Sequence, residues 1–176
     1  MKTLQEYITE KLVLNNNTTV KTFNYHPKTN DELKELIKQL IKERGNTADL
    51  NDIDTSEITD MSKLFEYFDF NGDISKWDVS SVENMNHMFF YSKFYGDISK
   101  WNVGKVTGMA SMFAMTKFNG DLSKWDVSNV EDMTNMFSHS IFDRDISNWD
   151  VRKVKRMENI FDKCPIKETH KPKFKK

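Results

Sequence analysis

Apolar positions in this chain recur every 24 residues over most of its length. Tryptophan marks the period, at Trp77, Trp101, Trp125 and Trp149, with no insertion between them. The surrounding apolar set keeps the same phase. Phe70, Phe94, Phe118 and Phe142 open the units, and Val79, Val103, Val127 and Val151 follow each Trp. Met85, Met109, Met133 and Met157 come next, and Phe89, Phe113, Phe137 and Phe161 close the set. One period earlier, Leu50, Ile53, Ile58, Met61, Leu64 and Phe65 hold the corresponding places, with Ile53 instead of Trp. The chain thus divides into five units, 46–69, 70–93, 94–117, 118–141 and 142–165. The first is degenerate, as terminal repeats usually are.

Each unit predicts a short strand and then a short helix. In Asp73–Val79 the aromatic and β-branched residues suit a strand, with Trp77 and Val79 on one face. Val82, Met85, Met88 and Phe89 follow a helical spacing. Ser80 with Glu83, and Ser128 with Glu131, read as capping boxes at the start of that helix. Gly72, Gly96 and Gly120 mark the loop back into the next strand, where positive φ is expected. One unit cannot bury its own Trp, Met and Phe, so the units must stack. The predicted fold is α/β: a leucine-rich-repeat-like solenoid of short parallel strands and short helices over 46–165, with an N-terminal strand–helix cap over 20–45.

In the cap, residues 20–25 read as a strand and 31–44 as a helix with an apolar stripe of Leu33, Leu36, Ile37, Leu40 and Ile41. Thr29 and Glu32 form its capping box, and Gly45 stops it. Residues 1–19 read as an amphipathic helix, lined by Leu4, Tyr7, Ile8 and Leu12, and a flexible Asn/Thr joint. That helix docks either on a partner protein or back on the cap. Residues 166–176 form a basic tail that Pro172 and its charge mark as disordered.

The unit FNGDISKWDVSSVENMNHMF resembles the repeat of BspA-like, leucine-rich-repeat-related surface proteins, over residues 46–165. Such repeats also occur in mycoplasma lipoproteins and in gut bacteria and their viruses. The resemblance implies an interaction scaffold without a known active site. This chain departs from the surface members in lacking a signal sequence or lipoprotein Cys near its start, so a cytoplasmic or virion-associated location is expected. The opening segment resembles, more weakly, the starts of crAss-like gut phage proteins, which implies a phage-encoded structural or packaged component.

Composition narrows the classes further. Aromatic residues are 12% of the 176, too many for a disordered chain despite a mean hydropathy of −0.69. No apolar run is long enough for a membrane helix. The net charge of −1 hides an asymmetry. Residues 1–143 hold 15 basic and 22 acidic side chains, whereas 144–176 hold 11 and 5. The basic end comprises Arg152, Lys153, Lys155, Arg156, Lys171, Lys173, Lys175 and Lys176. It either solvates the terminus or contacts nucleic acid.

Candidate chemistry is thin. Two acidic columns stand out: Asp49, Asp73, Asp97, Asp121 and Asp145, and Asp54, Asp78, Asp126 and Asp150 with Asn102 interrupting. They read either as calcium ligands between units or as side chains accepting backbone N–H bonds at turns. Asn102 favours the turns, because it keeps the acceptor oxygen and loses the charge. His26, His87, His139 and His170 share no repeat phase, which argues against a metal or catalytic cluster. The single Cys164 rules out an internal disulfide and reads as a small residue ending the array. No phosphate loop or nucleophile elbow is present. The expectation is a non-catalytic protein, with no cofactor and no small-molecule substrate.

Binding should then lie where the units differ. Tyr67, Phe68, Phe90, Tyr91, Tyr95 and Met115 cluster in the loops closing the first three units, and together they form a candidate aromatic partner-binding patch. The competing reading folds these loops inward. Nucleic-acid association through the basic end and a bacterial surface adhesin are the alternative functions.

Overall fold

A computed structural model describes residues 22–174. Among these residues the α-helix, α1, is Asn30–Arg44. The Thr29 Oγ accepts from the Glu32 N–H at 3.2 Å, and the Glu32 carboxylate accepts from the Lys28 N–H at 2.7 Å. At the other end, Gly45 turns the chain with φ 88° and donates its N–H to the Ile41 carbonyl. Leu33, Ile37 and Leu40 are fully buried, so the apolar stripe closes one end of the repeats as its spacing requires.

The repeats themselves overturn the α/β solenoid expected from the sequence. Among the described residues there is no strand, and beyond α1 only a 3₁₀ turn at Glu168–His170. Units 46–165 are built almost wholly of turns and loops. They are linked by isolated parallel bridges, such as Asp60 to Asn84, Asn84 to Gly108, Gly108 to Asp132 and Asp132 to Arg156. The cap's strand is likewise reduced to a single bridge, Tyr25 to Ile53.

Backbone geometry explains why no helix forms at Val82–Phe89. Two residues four apart in every unit take left-handed φ between 51° and 59°: Lys63 and Tyr67, His87 and Tyr91, Ser111 and Met115, Asn135 and His139, Asn159 and Lys163. A helix cannot propagate through such residues. The N–H groups alternate instead. Met85, His87, Phe89 and Tyr91 donate to Gly108, Ala110, Met112 and Ala114 in the next unit, at 2.8–3.1 Å. Met88, Phe90 and Ser92 donate three residues back within their own unit. Overlapping turns therefore bury Met85, Met88 and Phe89 together, just as a helix would. The expected capping boxes are absent: the Ser80 N–H donates to Asp78, and the Glu83 N–H to the Thr59 carbonyl.

The strand fails for a related reason. The Ser75 N–H donates to the Asp73 carboxylate, and the Trp77 N–H reaches back to the Ile74 carbonyl. Two donors that a strand would send sideways are used locally.

Stacking in register supplies the core. Phe65, Phe89, Phe113, Phe137 and Phe161 stack with centroids 5.5–5.9 Å apart. The first four also lie against the Phe that opens the next unit, as Phe113 does on Phe118 at 4.3 Å. The indoles add a directional bond. Trp77, Trp101, Trp125 and Trp149 Nε1 donate to the carbonyls of Leu50, Ile74, Ile98 and Leu122, at 2.9–3.2 Å. Each Trp thereby satisfies its buried polar atom and joins its unit to the one before.

Gly72, Gly96 and Gly120 do not use positive φ; among glycines only Gly45 does. They are there for space. A Cβ on Gly72 would lie 2.0 Å from the Ala48 carbonyl oxygen, and one on Gly120 2.6 Å from the Phe118 ring.

The tail is also ordered where it is described, against the expectation of disorder. Ile166 and Pro172 are buried, Phe174 packs on the core, and the Ile146 N–H donates to the His170 carbonyl. The apolar residues between the lysines outweigh the charge.

Gly120→Ala should lower stability by about 1–3 kcal/mol through overpacking. Gly104→Ala should be nearly neutral, because a Cβ there meets only side-chain oxygens at 3.3 Å and beyond. Urea unfolding midpoints of the two variants check this.

Candidate protein-binding face

The second left-handed residue of each unit falls at 67, 91, 115, 139 and 163. Its backbone is fixed: the N–H groups of Tyr67, Tyr91 and Met115 donate to Phe90, Ala114 and Ser138 carbonyls at 2.9–3.0 Å. Its side chain points outward. Tyr67 is 65% exposed, Tyr91 56% and Met115 46%. The rings meet, with Tyr67 5.6 Å from Tyr91 and edge-on to the half-buried Phe90 at 5.3 Å.

The predicted patch is thus assembled only in part. Tyr67, Phe90 and Tyr91 touch, and Met115 continues their column. Tyr95 is 66% exposed and anchored through its N–H to the Asn71 side chain, but it makes no ring contact with the others among the described residues. Phe68 turns inward and packs on the core. Ile141, half exposed, was missed because its counterparts Lys117 and Lys93 gave no apolar signal there. Leu4, Tyr7, Ile8 and Leu12 lie outside the described residues.

The acidic columns act at turns. Asp73, Asp97, Asp121 and Asp145 accept the N–H two residues on at 2.9 Å. Asn102 does the same for Gly104. Backbone and side-chain bonds from Ser75, Ser99, Ser123 and Ser147 hold the four carboxyls below the ordinary aspartate value. The Arg152 side chain, with its N–H, lowers Asp150 to about 2.

Four of the eight side chains of the basic end are paired with carboxylates. Arg152 pairs with Asp150 at 2.6 Å, Lys155 with Glu131 at 2.8 Å, and Arg156 with the buried Asp132 at 2.9 Å. Lys171 pairs with Glu168, and Lys153 donates to the Asn129 side chain. Lys173 is exposed; Lys175 and Lys176 lie outside the described residues.

No group of three or more His, Cys, Asp or Glu is placed to hold a metal ion among the described residues. His26, His87 and His139 each face a different carboxylate, Asp54, Glu66 and Asp162. Cys164 takes the repeat position of Ser140 and donates to the Phe142 carbonyl at 3.1 Å.

A family model described as "Mycoplasma protein of unknown function, DUF285" matches residues 31–139 and 91–170, and so spans most of the chain. No curated protein and no solved structure matches.

Tyr91→Asn should leave stability unchanged or raise it by up to about 1 kcal/mol, since Asn tolerates left-handed φ better than Tyr. Thermal unfolding reads this directly. The aspartate columns predict acid sensitivity. Carboxyls depressed in the folded state stabilise it above their unfolded value near 3.8, and this contribution is lost as pH falls below it. Urea midpoints should be flat from pH 7 to 5 and drop below pH 4. Asp97→Asn should keep the turn, as Asn102 does, and make the drop shallower.

Proposed function

The chain belongs to the DUF285 family, and on that premise we propose that it is a non-catalytic scaffold that binds another protein through the Tyr67, Phe90 and Tyr91 face. One observation carries this reading: bulky aromatic side chains occupy left-handed positions with fixed backbones and stay largely exposed. Tyr presents a large, rigid, amphipathic contact at low entropic cost, which is why it is enriched at interfaces. A backbone already bonded to the next unit needs no further ordering on binding. Met115 extends the surface with an adaptable apolar side chain.

The nucleic-acid reading has less support, because both arginines of the basic end and its Lys155 and Lys171 already face carboxylates. No helix among the described residues is long and apolar enough to cross a membrane. The finer context we propose is a cytoplasmic or virion-associated component encoded by a phage. It rests on the opening segment's resemblance to crAss-like phage proteins, and the partner's identity tests it.

The test is capture of partners from the native source by the full chain and by a Tyr67→Ala/Tyr91→Ala/Tyr95→Ala variant of unchanged thermal stability. A partner held by the full chain and lost with the variant supports the face. A partner retained in equal amount contradicts it.

A further inference from the structure

Every unit sends a row of N–H groups to the unit after it. The last unit has no successor. Its row is Met157, Asn159, Phe161 and Lys163, the counterparts of Met133, Asn135, Phe137 and His139. Those four donate to Arg156, Glu158, Ile160 and Asp162 carbonyls at 2.7–2.9 Å, whereas the final four have no acceptor among the described residues. The row is nonetheless held in its bonded shape. Asn159 and Lys163 keep the left-handed φ of 54° and 52°, and Asp162 and Cys164 donate back to Asn159 and Phe161 as in the inner units. Unpaired backbone donors on a preformed edge are a template for another chain.

The surroundings of this edge select what can pair with it. Met157 is 39% exposed, although Met61, Met85, Met109 and Met133 are buried. It lines an open pocket of about 490 Å³ with Ile160, Phe161 and Phe174, between the last unit and the folded-back tail. Around the edge Lys163, Lys167 and Lys173 are exposed and face no carboxylate among the described residues, unlike Arg152, Lys155, Arg156 and Lys171. A second copy does not fit. Edge to edge, donors would face donors. Head to tail, α1 covers the opposite end, where the Asn30 side chain already bonds the Ser62 carbonyl at 3.0 Å.

We propose that this end of the repeats binds an acidic segment of another protein, one that offers backbone carbonyls at alternate residues and apolar side chains to the pocket. In effect it supplies the missing next turn. Within this chain, unit 46–69 has that chemistry, with seven carboxylates against one lysine. A synthetic, end-blocked peptide of residues 46–69 is therefore the probe.

The full chain is titrated with this peptide and with a scrambled peptide of the same composition, and amide hydrogen exchange is followed by NMR. The expected result is slowed exchange at Met157, Asn159, Phe161 and Lys163, with binding at least about tenfold weaker for the scrambled peptide. A Lys163→Glu/Lys173→Glu variant of unchanged stability should also bind about tenfold more weakly, since charge complementarity is lost. Equal binding of both peptides, protection elsewhere, or no protection at these four amides would overturn the proposal. Slowed exchange at the same amides without peptide, rising with protein concentration, would overturn it in favour of self-association. The tyrosine face contributes to none of these readouts, so the two readings fail separately.

Discussion

Alternate backbone N–H groups in each of the first four units are satisfied only by the unit that follows. Met85, His87, Phe89 and Tyr91 hand their donors 23 residues forward, and the same register repeats from Met61 to His139. A buried donor left unpaired costs about 1–3 kcal/mol, so no unit is stable alone and none can slip against its neighbour. The left-handed residues serve this constraint. They turn every second N–H outward along the stack, at a local conformational cost that the inter-unit bonds offset.

The side chains reinforce the same register. Stacked Phe columns need identical spacing in every unit, and each Trp Nε1 fixes its unit to a carbonyl 27 residues earlier. The glycines beneath Phe94 and Phe118 give those rings room. The aspartates close the turns that let the chain re-enter the stack. Packing, hydrogen bonding and turn chemistry therefore impose one period, which is why it persists without insertion.

Much of this was legible in the residues. The 24-residue period, the α1 boundaries and the aspartate turns follow from spacing, from Thr29 with Glu32 and Gly45, and from the telling Asn102. The fold class did not follow. Met85, Met88 and Phe89 have helical spacing, and overlapping turns bury the same positions. The difference lies at His87 and Tyr91, where left-handed backbone carries side chains that announce no turn; only Asn135 and Asn159 hint at it. Of the proposed patch, the exposed tyrosines were visible as departures between units. Phe68 was not separable from them, because its inward turn depends on the packing of its neighbours. The tail misled for the opposite reason. Its lysines dominate the composition, while three residues, Ile166, Pro172 and Phe174, decide its placement.

The central claim is that the backbone bonds of each turn run to the next unit and not within a helix. NMR scalar couplings across hydrogen bonds report the acceptor of each amide. The His87 amide should couple to the carbonyl carbon of Ala110, its acceptor at 2.8 Å. A coupling to Glu83, four residues back, would mean a helix and would contradict the account.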